Sequence, residues 1–205
     1  MIAKFITLEG IEGSGKTSSL KGITDLLDKK DISYIVTREP GGSSIGKELR
    51  AILLDPDTKI SPEVELMLML SDRKDHVEKT ILPNLEKGNW VISDRFMDSS
   101  FAYQGGGRQL DKNLIISFAE YLNFPLPDLT LLFDLPAEIS LSRVMARGKL
   151  DRFEKEELEF HNRIRKAYLD IAINNTDRIK VIDSSQKLET MLNNVEKVIE
   201  DFFNE

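Results

Sequence analysis

The chain has 205 residues, 40% hydrophobic and 31% charged, a length and mixture that fit one well-filled core and exclude a disordered or membrane-embedded chain. Lysine and arginine number 28 against 35 aspartates and glutamates, a formal charge of -7, so a broad grip on nucleic acid or anionic lipid is excluded and an anionic ligand must be held by a local pocket. There is no cysteine, which also excludes disulfides, thiolate metal sites and cysteine nucleophiles.

The opening stretch Met1 to Leu8 is interrupted too soon for a signal segment, and no apolar run approaches the roughly 18 residues of a membrane span, so a cytoplasmic protein is expected. A first strand is predicted over 5–9. Directly after it, Gly10-Ile11-Glu12-Gly13-Ser14-Gly15-Lys16-Thr17 fits G-x-x-x-x-G-K-[ST] at every fixed position. The order strand, glycine-rich loop, helix is what phosphate binding needs. Glycines let the backbone N–H groups aim at phosphate oxygens, and the start of the helix predicted over 16–29 adds partial positive charge. In this reading Lys16 reaches the β and γ oxygens of a nucleoside triphosphate and Thr17 ligates Mg²⁺. Glu12 would be repelled by a polyphosphate and is expected to face a second substrate.

A second strand is predicted over 33–37, followed by Arg38-Glu39-Pro40-Gly41-Gly42. Arg38, at the edge of the sheet, is read as a phosphate ligand because a guanidinium fork makes two charge-assisted bonds at once. Helices over 45–54 and 62–85 come next. The following strand, 90–93, ends in Asp94, which suits the second acidic position of phosphate-loop nucleoside triphosphatases, placed to hold Mg²⁺ through water, and Arg95 follows at once. The glycine cluster Gln104-Gly105-Gly106-Gly107-Arg108 is expected to be a loop in which backbone turns tightly or approaches a ligand.

Beyond it, helices are predicted over 112–123, 137–146, 154–174 and 188–203, and strands over 130–133 and 179–182. Five apolar runs alternating with helices make a doubly wound parallel α/β sheet. Arg143, Arg147 and Arg152 surround Gly148, which breaks a basic helix, as a lid of about 143–155 closing over a ligand would require. The histidines His76 and His161 cannot form a zinc site alone and are expected as surface or helix-packing residues.

Together these segments resemble thymidylate kinase, across essentially the whole chain. The resemblance runs through Leu8-Glu9-Gly10, Thr37-Arg38-Glu39-Pro40-Gly41-Gly42, Asp94-Arg95-Phe96, Ser99 to Gly105 and Arg147 to Arg152. The family implies a P-loop NTPase fold in one nucleoside monophosphate kinase-like domain spanning 1–205, with a lid, and usually a homodimer. It implies phosphoryl transfer from ATP, with Mg²⁺, to dTMP, giving dTDP in dTTP biosynthesis. Carried over by motif, Arg38 and Arg95 grip the dTMP phosphate, Arg73 faces the thymine carbonyl, Ser100 and Gln104 bond the base, and Tyr103 lies under the sugar and disfavours a 2′-hydroxyl. Glu12 lies near the 3′-hydroxyl. The loop carries no arginine among Ile11, Glu12, Gly13 and Ser14, so the lid would supply the catalytic one, Arg147 first and Arg152 second. Family members usually have a phenylalanine stacked on thymine where this chain has Met69, whose thioether covers a ring face without aromatic stacking geometry.

Other readings differ in testable ways. A kinase for another deoxynucleotide or a nucleoside would share the loop and differ around Met69, Arg73 and Tyr103. A GTP-dependent switch needs an Asn-Lys-x-Asp element, and Gly148-Lys149-Leu150-Asp151 lacks the asparagine.

Overall fold

The computed structural model describes residues 2–204. Its strands are β1 (Phe5–Glu9), β2 (Tyr34–Arg38), β3 (Trp90–Asp94), β4 (Leu129–Asp134) and β5 (Ile179–Asp183), hydrogen-bonded in parallel in the order β2-β3-β1-β4-β5. The expected five-stranded parallel sheet flanked by helices is therefore the one found. Its central strands are covered on both faces, which is why they read as unbroken apolar runs. Between β1 and β4, the buried hydroxyls of Thr7 and Thr130 satisfy each other at 2.7 Å.

The helices are α1 (Lys16–Lys29), α2 (Gly46–Leu54), α3 (Pro62–His76), α4 (Leu82–Glu86), α5 (Met97–Ser100), α6 (Lys112–Tyr121), α7 (Ala137–Met145), α8 (Leu158–Ile173) and α9 (Leu188–Phe203). On one face of the sheet Ile6, Leu8 and Leu131 pack against Ile23 and Leu27 of α1 and Val195 and Ile199 of α9. On the other, Phe5 and Val91 meet Leu66 and Leu70 of α3, while Leu132 meets Phe160 and Ile164 of α8. From β1 the chain winds to one side for β2 and β3, then crosses to the other for β4 and β5. Such a reversal opens a crevice at the carboxyl ends of the central strands. Among the described residues no helix is long and apolar enough to cross a membrane.

Two helical segments differ from the sequence reading. The helix expected over 62–85 is interrupted by a wider π-helical stretch, Val77–Ile81, before α4. Pro83 explains it, since its ring lacks an N–H and would collide with the carbonyl four residues back. The expected glycine loop is instead helical: α5 runs into a second π-helical stretch, Phe101–Gly107. Its glycines allow close approach to α8, because a Cβ on Gly106 would sit 2.5 Å from Ala167 Cβ and one on Gly107 2.6 Å from Phe160.

The helix predicted over 154–174 begins later, at Leu158. Upstream, the Asp151 side chain accepts from Phe153 N and Glu154 N at 2.9 Å each and folds that segment into a turn. His76 and His161 are both buried in the interior.

Candidate active site

The sequence of the phosphate loop dictates its shape. Gly10, Gly13 and Gly15 all have positive φ, and a Cβ on Gly10 would lie 2.5 Å from the Phe133 carbonyl oxygen, so only glycine fits beside β4. Gly15 precedes α1 in the left-handed region without a side-chain cap, leaving the first N–H groups of that helix for a ligand. Ser14 Oγ is buried and has no partner among the described residues. Lys16 folds back over the loop, its Nζ donating to the Gly10 and Ile11 carbonyls at 2.8 and 3.1 Å. Burial, with Arg95 nearby, pushes its pKa down to about 8. Residues 12–18 form one end of a cavity of about 520 Å³, while Gly10 lies behind it against β4 and Ile11 is packed in the core.

Thr17 and Asp94 line the same cavity, and Asp94 Oδ1 is buried with no hydrogen-bond partner among the described residues. Among the described residues there is no cluster of three acidic, histidine or cysteine side chains that would hold a metal by itself. A hydroxyl and one orphaned carboxylate facing a phosphate loop nevertheless fit a hard divalent cation that takes its remaining ligands from phosphate and water.

Arg95 stands at the centre. Its guanidinium donates to Glu12 Oε1 at 2.7 Å, Tyr103 Oη at 2.9 Å, Tyr168 Oη at 3.1 Å and Ser99 Oγ at 3.2 Å. Burial alone would raise the Glu12 carboxyl, but Arg95, Lys16 and the Tyr103 hydroxyl outweigh it and hold it below the usual range. Glu12 is thus turned toward Arg95 and Tyr103, and its Oε2 is buried with no hydrogen-bond partner among the described residues.

The backbone of Arg95 has φ 74°, a strained value for a side-chain-bearing residue. Glu9 supports this turn: one carboxyl oxygen accepts from Phe96 N at 2.7 Å, the other from Ser99 Oγ at 2.6 Å and Tyr168 Oη at 2.8 Å. Burial, then the nearby Asp98, push the Glu9 carboxyl up to about 7.

Because the folded form keeps that proton longer than the unfolded one, the stability Glu9 contributes is fullest at low pH and is lost as pH rises through about 7. Glu9→Gln, which can keep these contacts, is expected to lose less stability than the parent between about pH 5 and about pH 8 in urea denaturation. An equal loss in both proteins would show that Glu9 does not titrate in this way.

The far wall is built on Arg73, which is fully buried. Nε donates to Glu39 Oε2 at 2.6 Å, Nη1 to Ser100 Oγ at 2.7 Å and to Met97 Sδ at 3.2 Å, and Nη2 to the Phe96 carbonyl at 2.9 Å. Four of its five N–H groups are thus engaged within the protein. Glu39 is fixed in turn by His76 Nδ1 at 2.9 Å, and His76 Nε2 lies 2.7 Å from Thr37 Oγ1. His76 is therefore the inner link of a polar chain that aims Arg73. Ser100, Gln104, Tyr103 and Met69 line the cavity around it.

Two expected arginines lie elsewhere. Arg38 is exposed and off the cavity wall, because strand alternation puts it on the same side of β2 as the exposed Val36. Arg50, missed in the sequence, lines the cavity instead and donates to the Pro40 carbonyl at 2.7 Å. Burial, then repulsion from Arg38 and Arg95, lower its pKa. No motif marks Arg50 in the sequence, and only the packing of α2 brings it to the cavity. The second choice for lid arginine, Arg152, also turns away, donating to the Leu53 carbonyl at 2.8 Å and Glu65 Oε2 at 2.7 Å. Arg147 reaches the cavity, exposed and paired with Glu154 at 2.7 Å. Tyr168, which helps complete the surroundings of Arg95, lies outside every motif, and Glu9 lies within Leu8-Glu9-Gly10 with nothing there to show its role.

A phosphate loop facing arginines across one crevice is common to several kinase families, and comparison with known proteins decides among them. The family described as "Thymidylate kinase" matches residues 8–195. The chain belongs to the thymidylate kinase family. It is similar to the thymidylate kinase of Carboxydothermus hydrogenoformans, 50% identical over 190 residues that cover 92% of this chain and 93% of that one. It is 42% identical to that of Nitrosomonas europaea, over 98% of this chain and 94% of the relative, and 43% identical to that of Neisseria gonorrhoeae, over 99% of each. Membership of the thymidylate kinase family makes the chain an enzyme, a nucleotide-binding transferase of the kinase class.

Proposed function

We propose that the cavity holds ATP on the phosphate loop and dTMP against Arg73, Ser100 and Gln104. The γ-phosphoryl group passes in line to a dTMP phosphate oxygen, giving dTDP and ADP for dTTP synthesis. The observation that carries this reading is that one cavity has the loop at one end, a fixed polar wall at the other and Arg95 between them.

The acceptor oxygen is already anionic near neutral pH, so no strong general base is needed. Positioning and charge neutralisation do the work. Gly10, Ile11, Glu12, Gly13, Ser14 and Gly15 form the cradle, Lys16 contacts the donor phosphates, Arg95 and Arg50 hold the acceptor phosphate, and Arg147 closes from the lid. Glu12 and Tyr103 face the sugar and Met69 covers the thymine. Thr17 and Asp94 would hold Mg²⁺, which when bound neutralises charge on the donor phosphates.

A groove between α3 and α6 lined by Met67, Leu70, Phe118 and Tyr121 supports a homodimer, because apolar surface of this kind is costly to leave in water. A single domain in the cytoplasm fits the rest of the reading.

The test is a panel of nucleoside monophosphates with ATP and Mg²⁺, following ADP release, together with a co-crystal containing dTMP and a non-hydrolysable ATP analogue. dTMP is expected to be the preferred acceptor, bound between Arg95 and Gln104. No magnesium-dependent ATP consumption on adding dTMP, or dTMP bound elsewhere, would overturn the proposal.

A further inference from the structure

Glu65 lies on α3, almost wholly buried, and does not itself line the cavity. Its Oε1 accepts from Gln104 Nε2 at 2.9 Å; Oε2 accepts from Arg152 Nη1 at 2.7 Å and Arg108 Nε at 3.1 Å. Arg108 is also paired with Glu156. Guanidinium groups can only donate, so a carboxylate committed to two of them can only accept. The end of the Gln104 amide that faces Glu65 must therefore be its NH₂. The two ends of a glutamine amide are nearly alike in shape, and the hydrogen-bond network normally decides between them; here it leaves one choice. Gln104 Oε1 has no hydrogen bond among the described residues, and Gln104 lines the cavity beside Arg73 and Ser100.

We propose that Glu65 sets the base specificity of this enzyme by holding the Gln104 amide with its carbonyl oxygen toward the base. The proposal rests on the reading above that the base lies against Arg73, Ser100 and Gln104. Thymine offers an acceptor at O4 and a donor at N3–H, which match an arginine N–H and a glutamine oxygen. Cytosine offers a donor at its 4-amino group and an acceptor at N3, so it opposes both. A glutamine free to turn over would present its NH₂ to cytosine N3 and lose half of this discrimination. Glu65 touches neither base nor phosphate and acts as a positioning residue.

The test compares kcat/KM for dTMP and dCMP in the parent, in Glu65→Gln and in the charge-balanced double variant Glu65→Gln/Arg152→Met, whose second change removes the cation that the first leaves unpaired. A glutamine at 65 can donate or accept and no longer dictates the orientation of Gln104. The dTMP/dCMP ratio is expected to fall by about 10- to 100-fold, mainly through KM for dTMP, the range expected for one mismatched buried hydrogen bond. A purely structural Glu65 would lower both substrates by the same factor and leave the ratio unchanged, which would overturn the proposal.

The parent enzyme gives a second reading that needs no variant to fold. Protonated cytosine carries an N3–H, so if the glutamine oxygen is fixed, dCMP binding relative to dTMP in the same buffers tightens as pH falls toward the cytosine pKa, by up to about tenfold per unit. A ratio independent of pH would count against a fixed amide. Gln104→Ala separates the two layers of argument: if it leaves KM for dTMP unchanged, the placement of the base is wrong, whereas a raised KM with an unchanged ratio in the Glu65 variants removes only the role of Glu65.

Discussion

Lys16→Ala is expected to lower kcat for dTDP formation by about 10³-fold at saturating ATP while leaving the protein folded. The structure gives the reason for both halves. The Lys16 ammonium is buried against two loop carbonyls, and burial has already pulled its pKa down to about 8, so removing it takes away a cation that was costly to enclose. Phosphates give the ammonium an anionic partner, so the cation's value appears when nucleotide is bound and is greatest when charge develops on the transferring group.

A pH dependence follows. Only the protonated side chain attracts phosphate, so nucleotide affinity is steady well below pH 8 and weakens as pH rises past it, by at most about tenfold per unit. In Lys16→Ala this weakening disappears. Calorimetric titration of the nucleotide across pH checks it, and retention of parental kcat in the variant would remove Lys16 from the mechanism.

What the sequence made legible follows from where each constraint acts. The strands and the phosphate loop could be read because their causes are local: burial on both faces writes continuous apolar runs, and the loop needs glycine and lysine at set spacing. The run Gly105 to Gly107 misled because the same residues that permit a turn also permit two helices to touch, and the partner surface on α8 is about sixty positions away in the chain. Arg38 and Arg50 were exchanged for a similar reason. The motif drew attention to the first, yet the parity of β2 turns it outward, while α2 brings the second to the cavity. Glu65 was silent, and the role of Glu9 stayed hidden inside Leu8-Glu9-Gly10, because a carboxylate in a sequence looks like a solvated one. Only the assembled fold surrounds them with donors.

Arg147→Ala is expected to reduce kcat by about 10³-fold with little change in melting temperature, and Arg152→Ala is expected to show the opposite balance. The two lid arginines sit in different environments. Arg147 is 60% exposed and among the described residues its side chain pairs with Glu154 alone, and ion pairs at such a surface contribute about 0 to 1 kcal/mol. It can exchange Glu154 for a phosphoryl oxygen at almost no cost, as a group acting only during transfer must. Arg152 is largely buried, bonded to the Leu53 carbonyl and Glu65, and its backbone N–H reaches Leu54 at 3.1 Å. Pulling it into the cavity would break all the side-chain contacts and leave Glu65 underpaired. Its work is therefore to anchor the lid to α2 and α3. Single-turnover rates and thermal melts on both variants distinguish the roles; Arg147→Ala transferring phosphate within about threefold of the parental rate, far short of the loss an arginine at the transferring group entails, would reassign the lid chemistry.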